Sequence, residues 1–457
     1  MNLTKNQLTT IFVSLITAFI TTFMGSALNL SVPAIGEEFQ SGAVAVGWVI
    51  NGYILASAAM SVPFGRLADL TNRKYVLVIG IIIFSVSAGA IAFSGSFKVL
   101  IFMRILQGIG AAMIFSTNQA VLISAFPAEM RGKVLGYSIA ATYTGLTAGP
   151  VIGGLLNQYL GWRSIFIFTF LIGIVVFSIA TKKLPYSTAG NNGQSMDILG
   201  SLLYIATIIS MMYGLSDFLT KTAARYLIII GLLLFLVFLY HESKAESPII
   251  QIRLFRKNRS YLLSNIAALL NYGATFALGY LLSIYLQVIK GYGSQITGLI
   301  LISQPLIMAV LSPYAGKLSD RISPFKLASF GMALCALGLF SFIFVSETYP
   351  LFLIIISLIV VGLGFAFFSS PNTNAVMACV EQKDYGVASS ILATMRTIGH
   401  SFSMAVVTFI MAKQIGNVPF AEAETSLLIS TMRIAFIVFT CLCAIGIFFS
   451  LKRKEKV

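Results

Sequence analysis

The residues of this sequence best suited to chemistry are a few ionisable side chains within or beside long apolar runs. His400 follows Arg396 by four positions, so in a helix both side chains lie on one face. His is the side chain whose ordinary pKa lies nearest to neutrality, and it can therefore carry a proton through a transport cycle. The alternative is a neutral His bonded to a neighbouring carbonyl. Asp69 and Asp217, at the ends of apolar runs, are further candidates for proton coupling.

Arg104 is a second charged residue inside an apolar run, which extends over residues 98–119. A charge at that depth of a membrane is costly, so its side chain must face protein or water. It is either a functional cation or a structural Arg bonded to the carbonyls of a neighbouring helix.

Carboxylates are missing from the middle of the apolar runs, because every Asp and Glu falls in a loop or near the end of a run. A buried carboxylate is the usual group that titrates in a proton-coupled transporter, and it also attracts cationic substrates. A cavity with Arg and no acid is better suited to anionic, zwitterionic or neutral substrates.

The composition places these residues in an integral membrane protein, since 58% of the chain is hydrophobic and 10% is charged, against roughly 25% charged in soluble domains. An apolar run of about 20 residues spans a bilayer as a helix. We predict an all-α polytopic protein with fourteen transmembrane helices, at approximately 8–30, 45–64, 76–94, 98–119, 134–156, 163–180, 198–216, 224–241, 262–288, 296–315, 326–345, 350–369, 387–411 and 430–450.

The distribution of basic residues predicts the orientation. With both termini inside, most Lys and Arg fall in inside loops, as the positive-inside rule requires. Few lie outside: Lys98, Arg163, Lys221, Arg225, Lys290 and Lys413. We therefore expect a multi-pass protein of a prokaryotic cell membrane with cytoplasmic termini. The net charge of +15 does not indicate a nucleic-acid partner, because the basic residues form no stripe.

An internal repeat divides the chain into two bundles. We predict an N-terminal six-helix bundle over 1–181 and a C-terminal six-helix bundle over 259–457. The segment 182–258 would connect them and would contribute two extra transmembrane helices. Parallel repeats of this kind are typical of transporters.

The repeat is marked by a polar segment in each half, expected to lie in a loop between two apolar runs. We expect its glycine to allow close helix approach and its Asp to bind a neighbouring helix N-terminus or an Arg, which would lock the two bundles together. Arg131, in the loop after the fourth run, is placed to pair with Asp69 as an inside gate that forms when the cavity faces outward. The alternative is a solvated surface pair of little energetic value. The residues of the repeated segment are Gly65, Asp69, Arg73 and Lys74, then Gly316, Asp320 and Arg321.

The fifth run contains glycines spaced four apart, which form one smooth helix face for tight packing. They are Gly145, Gly149 and Gly153, followed by Gly154. Pro150, between them, frees a backbone carbonyl and permits a bend. Ordinary small-residue packing is the alternative to a specialised role.

These segments together resemble the conserved motifs of the major facilitator superfamily. Gly65–Lys74 is similar to motif A, the segment around Arg104 to motif B, and Gly145–Gly154 to motif C, the antiporter motif. The whole pattern resembles the fourteen-span drug:proton antiporter branch. The resemblance implies that Arg104 takes part in proton transfer and that a proton gradient supplies the energy, without a cofactor. Where that branch usually has an Asp in the first span, this chain has Met24.

Polar and aromatic residues near the middle of the runs are the candidates for lining a substrate cavity, because an amide facing lipid is costly. Others of them would only bond helices together. Pro371 is expected to interrupt the twelfth run and to free carbonyls for a site. The candidates are Asn29, Tyr53, Asn118, Tyr143, Asn271, Tyr272, Gln304, Asn372 and Asn374.

The sequence therefore favours a monomeric secondary active exporter of small amphipathic compounds, including drugs, exchanged for protons. The alternative is an exporter or uptake carrier for one specific metabolite, with proton coupling absent or different. An enzyme is not expected, because the sequence has no catalytic cluster, no metal-ligand spacing and no phosphate-binding glycine loop.

Overall fold

The structure, a computed structural model, describes residues 3–184, 195–219, 221–380, 385–416 and 418–453. Within these ranges the regular secondary structure is helical and contains no strand. Helices are the expected result for apolar runs, since a helix satisfies its backbone hydrogen bonds within one segment and needs no water.

The first part of the chain forms six long helices and one short one. They are α1 (Lys5–Ala27), the short α2 (Val32–Glu38), α3 (Ala43–Leu70), α4 (Arg73–Ala92), α5 (Phe97–Ser124), α6 (Ala128–Leu160) and α7 (Arg163–Lys183). The two helices predicted between the bundles follow as α8 (Ile198–Ser216) and α9 (Thr222–Lys244).

The last part of the chain is more segmented. It comprises α10 (Ile252–Lys257), α11 (Arg259–Thr275), α12 (Leu278–Ile284), α13 (Ser294–Leu301), α14 (Ser303–Ser319), α15 (Pro324–Ser341), α16 (Leu351–Ala378), α17 (Tyr385–Gln414) and α18 (Thr425–Leu451). The pairs α11–α12 and α13–α14 each make one broken span, over Arg259–Ile289 and Ser294–Ser319.

Thirteen helical segments of the described residues are long and apolar enough to cross a membrane. The remaining predicted span, 387–411, coincides with α17, which has 30 residues but is not among the thirteen. The all-helical membrane fold is therefore confirmed, and the count of fourteen stays a prediction. The domain limits 1–181, 182–258 and 259–457 also stay predictions. We call the side that holds the start of α1 and the end of α18 the terminal face, and the other side the opposite face.

The glycine face of α6 packs on α1. A Cβ added to Gly149 would lie 2.6 Å from the Cβ of Ser26, and one added to Gly153 would lie 2.5 Å from that of Ala27. Gly145 meets the backbone of α1 in the same way. These glycines let the two backbones touch within the N-terminal half.

The two halves meet along two seams. At one seam α6 packs against α13 and α14, where the added Cβ of Gly154 would lie 2.6 Å from the carbonyl of Ser294. Gly298 of α13 lies directly against the carbonyl of Pro150. At the other seam α3 packs against α17, and α8 packs on both.

The repeated polar segment differs from the expectation in two respects. It is not a loop, because α3 continues to Leu70 and only Thr71 and Asn72 separate it from α4. Its glycines are not at tight contacts either: an added Cβ on Gly65 or Gly316 would find its nearest neighbour at 3.5 or 3.8 Å. Asp69 and Asp320 therefore lie at helix ends.

Pro371 does not interrupt its helix, contrary to the expectation. Helix α16 runs continuously through it from Leu351 to Ala378. The breaks lie in α11–α12 and α13–α14 instead.

The contact between α6 and α1 can be tested with Gly149→Leu, using Gly136→Leu in the same helix as the control. The first substitution forces a side chain into the α1 backbone, whereas an added Cβ on Gly136 meets no atom within 4 Å. Overpacking typically costs ~1–3 kcal/mol. We expect a loss of folded, monodisperse protein for Gly149→Leu alone, measured by fluorescence-detected size-exclusion chromatography. Equal yields for the two variants would contradict this packing.

Candidate functional site

Between α11 and α12, near the middle of the membrane span, the helical hydrogen-bond ladder is interrupted, although Phe276 and Ala277 keep right-handed helical backbone angles. The backbone N–H of Ala277 leaves the helical ladder and donates to the Oγ of Ser403 on α17, at 3.1 Å. The break contains no proline. The ring of Phe276, beside this interruption, faces α17, where it stacks on His400.

His400 stacks on Phe276 at this break. The ring centroids are 4.2 Å apart with an interplanar angle of 29°, and the edge of Tyr272 approaches the His400 ring at 5.5 Å. One turn away, the guanidinium of Arg396 lies over the Tyr272 ring at 5.0 Å. The Nε of Arg396 is buried and has no hydrogen-bond partner within the protein. His400 and Arg396 therefore share a face, as their spacing predicts.

Tyr143 brings the N-terminal half into the same site. Its hydroxyl oxygen accepts a hydrogen bond from the Oγ of Ser312 on α14, at 3.1 Å. Tyr272 and Arg396 are within electrostatic reach of it, and Ser369 lies beside it. The hydroxyls of Tyr272 and Ser369 are 3.2 Å apart. These seven residues, which we call the central cluster, are Tyr143, Tyr272, Phe276, Ser312, Ser369, Arg396 and His400.

The central cluster offers three kinds of interaction. The rings of Phe276, Tyr272 and His400 can stack on a planar molecule. The hydroxyls can donate or accept hydrogen bonds, and Arg396 can donate to an oxygen acceptor or an anion. The carboxylates that form ion pairs among the described residues lie away from it at helix ends. The cluster thus combines aromatic surface with one cation.

Arg104 lies elsewhere and is directed at α3. Its Nε donates to the carbonyl of Val49 at 2.7 Å, and a second nitrogen donates to the Oε1 of Gln107 at 2.5 Å. The guanidinium covers the ring of Tyr53 at 4.3 Å. With 1% of its surface exposed, Arg104 binds α5 to α3, which is the geometry of the structural alternative.

Three of the predicted cavity amides hold helices together. Asn118 donates to the Ser14 carbonyl of α1 at 3.0 Å. Asn372 accepts from Arg453 at 2.7 Å, and Asn374 donates to a serine hydroxyl near the end of α14.

Two of the other three amide residues contact neighbouring helices through their backbone, and the third is buried between helices. The carbonyl of Asn29 accepts a bond from α12, Gln304 supports a glycine contact with α16 through its backbone, and Asn271 is fully buried. Of the nine predicted lining residues, Tyr143 and Tyr272 lie in the central cluster.

The proposed gate pair is not formed in this conformation. Asp69 makes an ion pair with Arg73 at 2.7 Å, and the Nε of Arg131 donates to the Phe126 carbonyl at 3.3 Å. Asp217 lies at the opposite-face end of α8, where it pairs with Lys221 at 2.7 Å. Asp217 therefore lies at the membrane surface on the opposite face and is not part of the central cluster.

On the opposite face the two halves are bonded together. Ser283 donates to the Asn29 carbonyl at 2.6 Å, and Gln287 donates to the Leu30 carbonyl at 3.1 Å. The backbone N–H of Ala43 donates to the carbonyl of Val418 at 2.9 Å. These bonds close the opposite face over the central cluster.

Four residues of this site escaped the sequence reasoning: Phe276, Ser312, Ser369 and Ser403. Phe276 is one of 36 Phe, and a hydroxyl in an apolar helix usually bonds to its own backbone. The glycines near the break, Gly273 and Gly279, are a signal that could have drawn attention to it, although glycines are also common at simple helix contacts.

Comparison with known proteins gives a family and several full-length relatives. The model of the Major Facilitator Superfamily matches residues 14–404 and 266–457. The riboflavin transporter RibZ of Clostridioides difficile is 29% identical over 455 residues, covering 99% of both chains. The multidrug resistance protein Stp of Mycobacterium tuberculosis is 28% identical over 416 residues, covering 89% of this chain and 76% of its own length.

Two solved structures show the same fold. A bacterial homolog of the human lysosomal transporter Spinster superposes with a TM-score of 0.71 at 13% identity, covering 98% of this chain and 97% of its own. The nucleoside transporter NupG superposes with a TM-score of 0.68 at 13% identity, covering 97% and 98%.

The contact between Gly298 and the Pro150 carbonyl joins the two halves beside the bonds of the opposite face. We expect Gly298→Leu to separate α13 from α6 there, because the new side chain would occupy the position of the Pro150 carbonyl. The measurement is labelling of Ser283→Cys by a membrane-impermeant maleimide, in a background without the native cysteines. Labelling should rise severalfold with Gly298→Leu and stay unchanged with Gly136→Leu. An unchanged rate in both would show that this contact does not hold the face closed.

Proposed function

Because this chain belongs to the major facilitator superfamily, we propose that this membrane transporter exports small amphipathic compounds by alternating access. The observation that carries the proposal is the position of the central cluster. Its residues come from both halves, as in the bond between Tyr143 and Ser312, and the halves are joined above it on the opposite face. A site that both halves share is the one that rocking of the halves would expose alternately to the two sides.

The orientation follows from the charges. We place the terminal face, with the basic polar segments of both halves, in the cytoplasm of a prokaryotic cell, as the positive-inside rule favours. Since the halves are bonded at the opposite face and Asp69 is not paired with Arg131, we propose that this conformation belongs to the inward-facing side of the cycle.

The substrate class follows from the chemistry of the central cluster. Aromatic faces with Arg396, and no carboxylate of the described residues beside them, suit planar compounds that are neutral or anionic better than permanent cations. The drug-resistance relative Stp supports export of drugs. The transporter is proposed to act as a monomer, without catalysis and without a cofactor.

A carrier for one specific metabolite is the second candidate. It is favoured by the likeness to the riboflavin transporter RibZ, which covers 99% of both chains. Riboflavin would bring a planar ring system with oxygen acceptors, which the stacked rings and Arg396 could bind. The two candidates differ in the breadth of substrates carried.

Energy would come from a proton gradient, with His400 as the group that takes up the proton. His400 is the titratable side chain within the central cluster whose ordinary range is near neutral pH. It contacts Phe276 and Tyr272, so a change in its charge would be felt where a stacked substrate binds.

The function is tested in proteoliposomes with imposed pH and potential gradients and a panel of planar neutral, anionic and cationic compounds, riboflavin included. We expect His400→Gln to abolish the dependence of transport on the pH gradient while substrate-for-substrate exchange persists. His241→Gln is the matched control, because His241 is the other His of the chain and pairs with Asp197 on the terminal face. Transport of no compound, or transport by the wild type that ignores the pH gradient, would contradict proton-coupled drug export.

The gate is tested by Asp69→Asn and Arg131→Gln. If Asp69 exchanges Arg73 for Arg131 in the outward-facing state, either variant should slow the maximal transport rate by about fivefold, the population effect of ~1 kcal/mol, at normal protein yield. Arg73→Gln is the control, since it removes the partner that Asp69 has in the present conformation and should not slow the formation of the gate. Normal transport by Asp69→Asn would contradict the gate and would mean that any pair between Asp69 and Arg131 is only a solvated surface pair.

A further inference from the structure

A groove of about 310 Å³ opens on the lipid-facing side of the protein where α8, α17 and α18 meet. Its deeper walls are apolar and come from all three helices: Leu215, Val406, Phe409, Ile410, Ile434 and Val438. Lys413 and Gln414, in the last turn of α17, form its end at the opposite face. The groove is thus apolar toward the bilayer interior and basic at the membrane surface.

The charges at this end are unusual for the opposite face, where basic residues are few. Arg163 pairs there with Glu38, and Lys221 pairs with Asp217. The hydrogen bond with Asp217 raises the pKa of Lys221, so that this cation is held in its own pair. Lys413 takes part in none of the ion pairs formed by the described residues.

Arg225 adds a second cation beside the groove. Its Nε donates to the carbonyl of Phe218 at 3.1 Å, and its guanidinium lies 5.8 Å from the Phe218 ring. That ring packs 5.9 Å from the ring of Phe409, which forms the groove wall. Arg225 is likewise in none of the ion pairs of the described residues. Lys413 therefore ends the groove and Arg225 lies near it through Phe218, while the neighbouring carboxylate of Asp217 is paired with Lys221.

We propose that this groove is a binding site for one anionic phospholipid. An acyl chain would lie against Leu215, Phe409 and Val438, and the phosphate would be held by Lys413 and Arg225. A volume of about 310 Å³ is at the lower end for ligand pockets, and it is suited to one acyl chain of a lipid. The combination of an apolar groove with basic residues at the interface is what an anionic lipid recognises.

The site bridges parts of the protein that belong to different halves. Helix α8 is bonded to α3, since Asn51 donates to the Oγ of Ser216 at 2.9 Å and Tyr204 donates to the Ala58 carbonyl at 3.1 Å. Helices α17 and α18 pack with α11 of the C-terminal half. Because α8 packs on α17 as well as on α3, a lipid in the groove would lie where α8 joins the two halves.

The test is binding of dioctanoyl phosphatidylglycerol to the full-length protein in detergent, followed by thermal shift and native mass spectrometry. Dioctanoyl phosphatidylcholine and inorganic phosphate serve as comparison probes. We expect phosphatidylglycerol alone to stabilise the wild type. Lys413→Gln and Arg225→Gln should each weaken its binding about fivefold, whereas Lys98→Gln, an exposed cation at the start of α5 on the same face, should not change it.

Val438→Trp distinguishes the contribution of the lipid's acyl chain from that of its headgroup, because the new side chain fills the groove and leaves both cations in place. It should abolish the stabilisation by phosphatidylglycerol. The proposal would be overturned if phosphatidylcholine or inorganic phosphate stabilised the protein as much as phosphatidylglycerol does. It would also be overturned if the effect of phosphatidylglycerol survived Val438→Trp and the two charge variants. The binding measurement does not use transport, so its outcome is independent of the proposed export.

Discussion

The bilayer offers no water to polar groups, and this constraint decides where each polar side chain of the protein can lie. Arg104 places its donors on the Val49 carbonyl and Gln107, and Asn118 bonds to α1. Such bonds make most intramembrane polar residues part of the scaffold. Arg396, like Asn271 and several other buried residues, has a polar atom without a partner within the protein, its Nε, and its guanidinium lies over the Tyr272 ring. A ligand with an oxygen acceptor could bind the unpaired donor of Arg396 and contact the aromatic rings around it.

The glycine-rich segment of α6 serves two interfaces that have different mechanical roles. Gly149 and its equivalents one turn away fix α6 to α1 inside one half, and a rigid half is what rocking requires. Gly154 and the carbonyl of Pro150 face α13 of the other half, where contact must be made and broken. Helix spacing alone predicts a smooth face, but it does not distinguish the static contact from the moving one. The distinction becomes visible only when the partner of each glycine is known.

The sequence predicted the helices well and the site in part, for a physical reason. Apolar length is a direct requirement of the bilayer, so the run 198–216 coincides with α8 and each other run overlaps its helix, although the helices extend further at polar ends, as α16 does beyond 369. The partner of an amide, in contrast, is a tertiary property, and Asn372 turned out to bind Arg453 instead of facing a cavity. Proline did not predict the helix interruptions correctly, since α16 continues through Pro371 while α11 ends at Phe276, where no proline occurs. That break is stabilised by Ser403 from another helix, which no local pattern encodes.

The charge of the central cluster restricts how a proton and a substrate can be coupled. A proton on His400 would add a positive charge one helical turn from Arg396. It would then strengthen the binding of an anion and weaken that of a cation, and by linkage each substrate would affect the proton reciprocally. An anion and a proton that favour each other travel in the same direction, whereas exchange requires that they compete. Antiport by this cluster is therefore consistent with a neutral compound that stacks on Phe276 and loses that contact when His400 becomes charged. Of the proposed substrates, an anion held mainly by Arg396 would have to leave without exchange for the proton on His400.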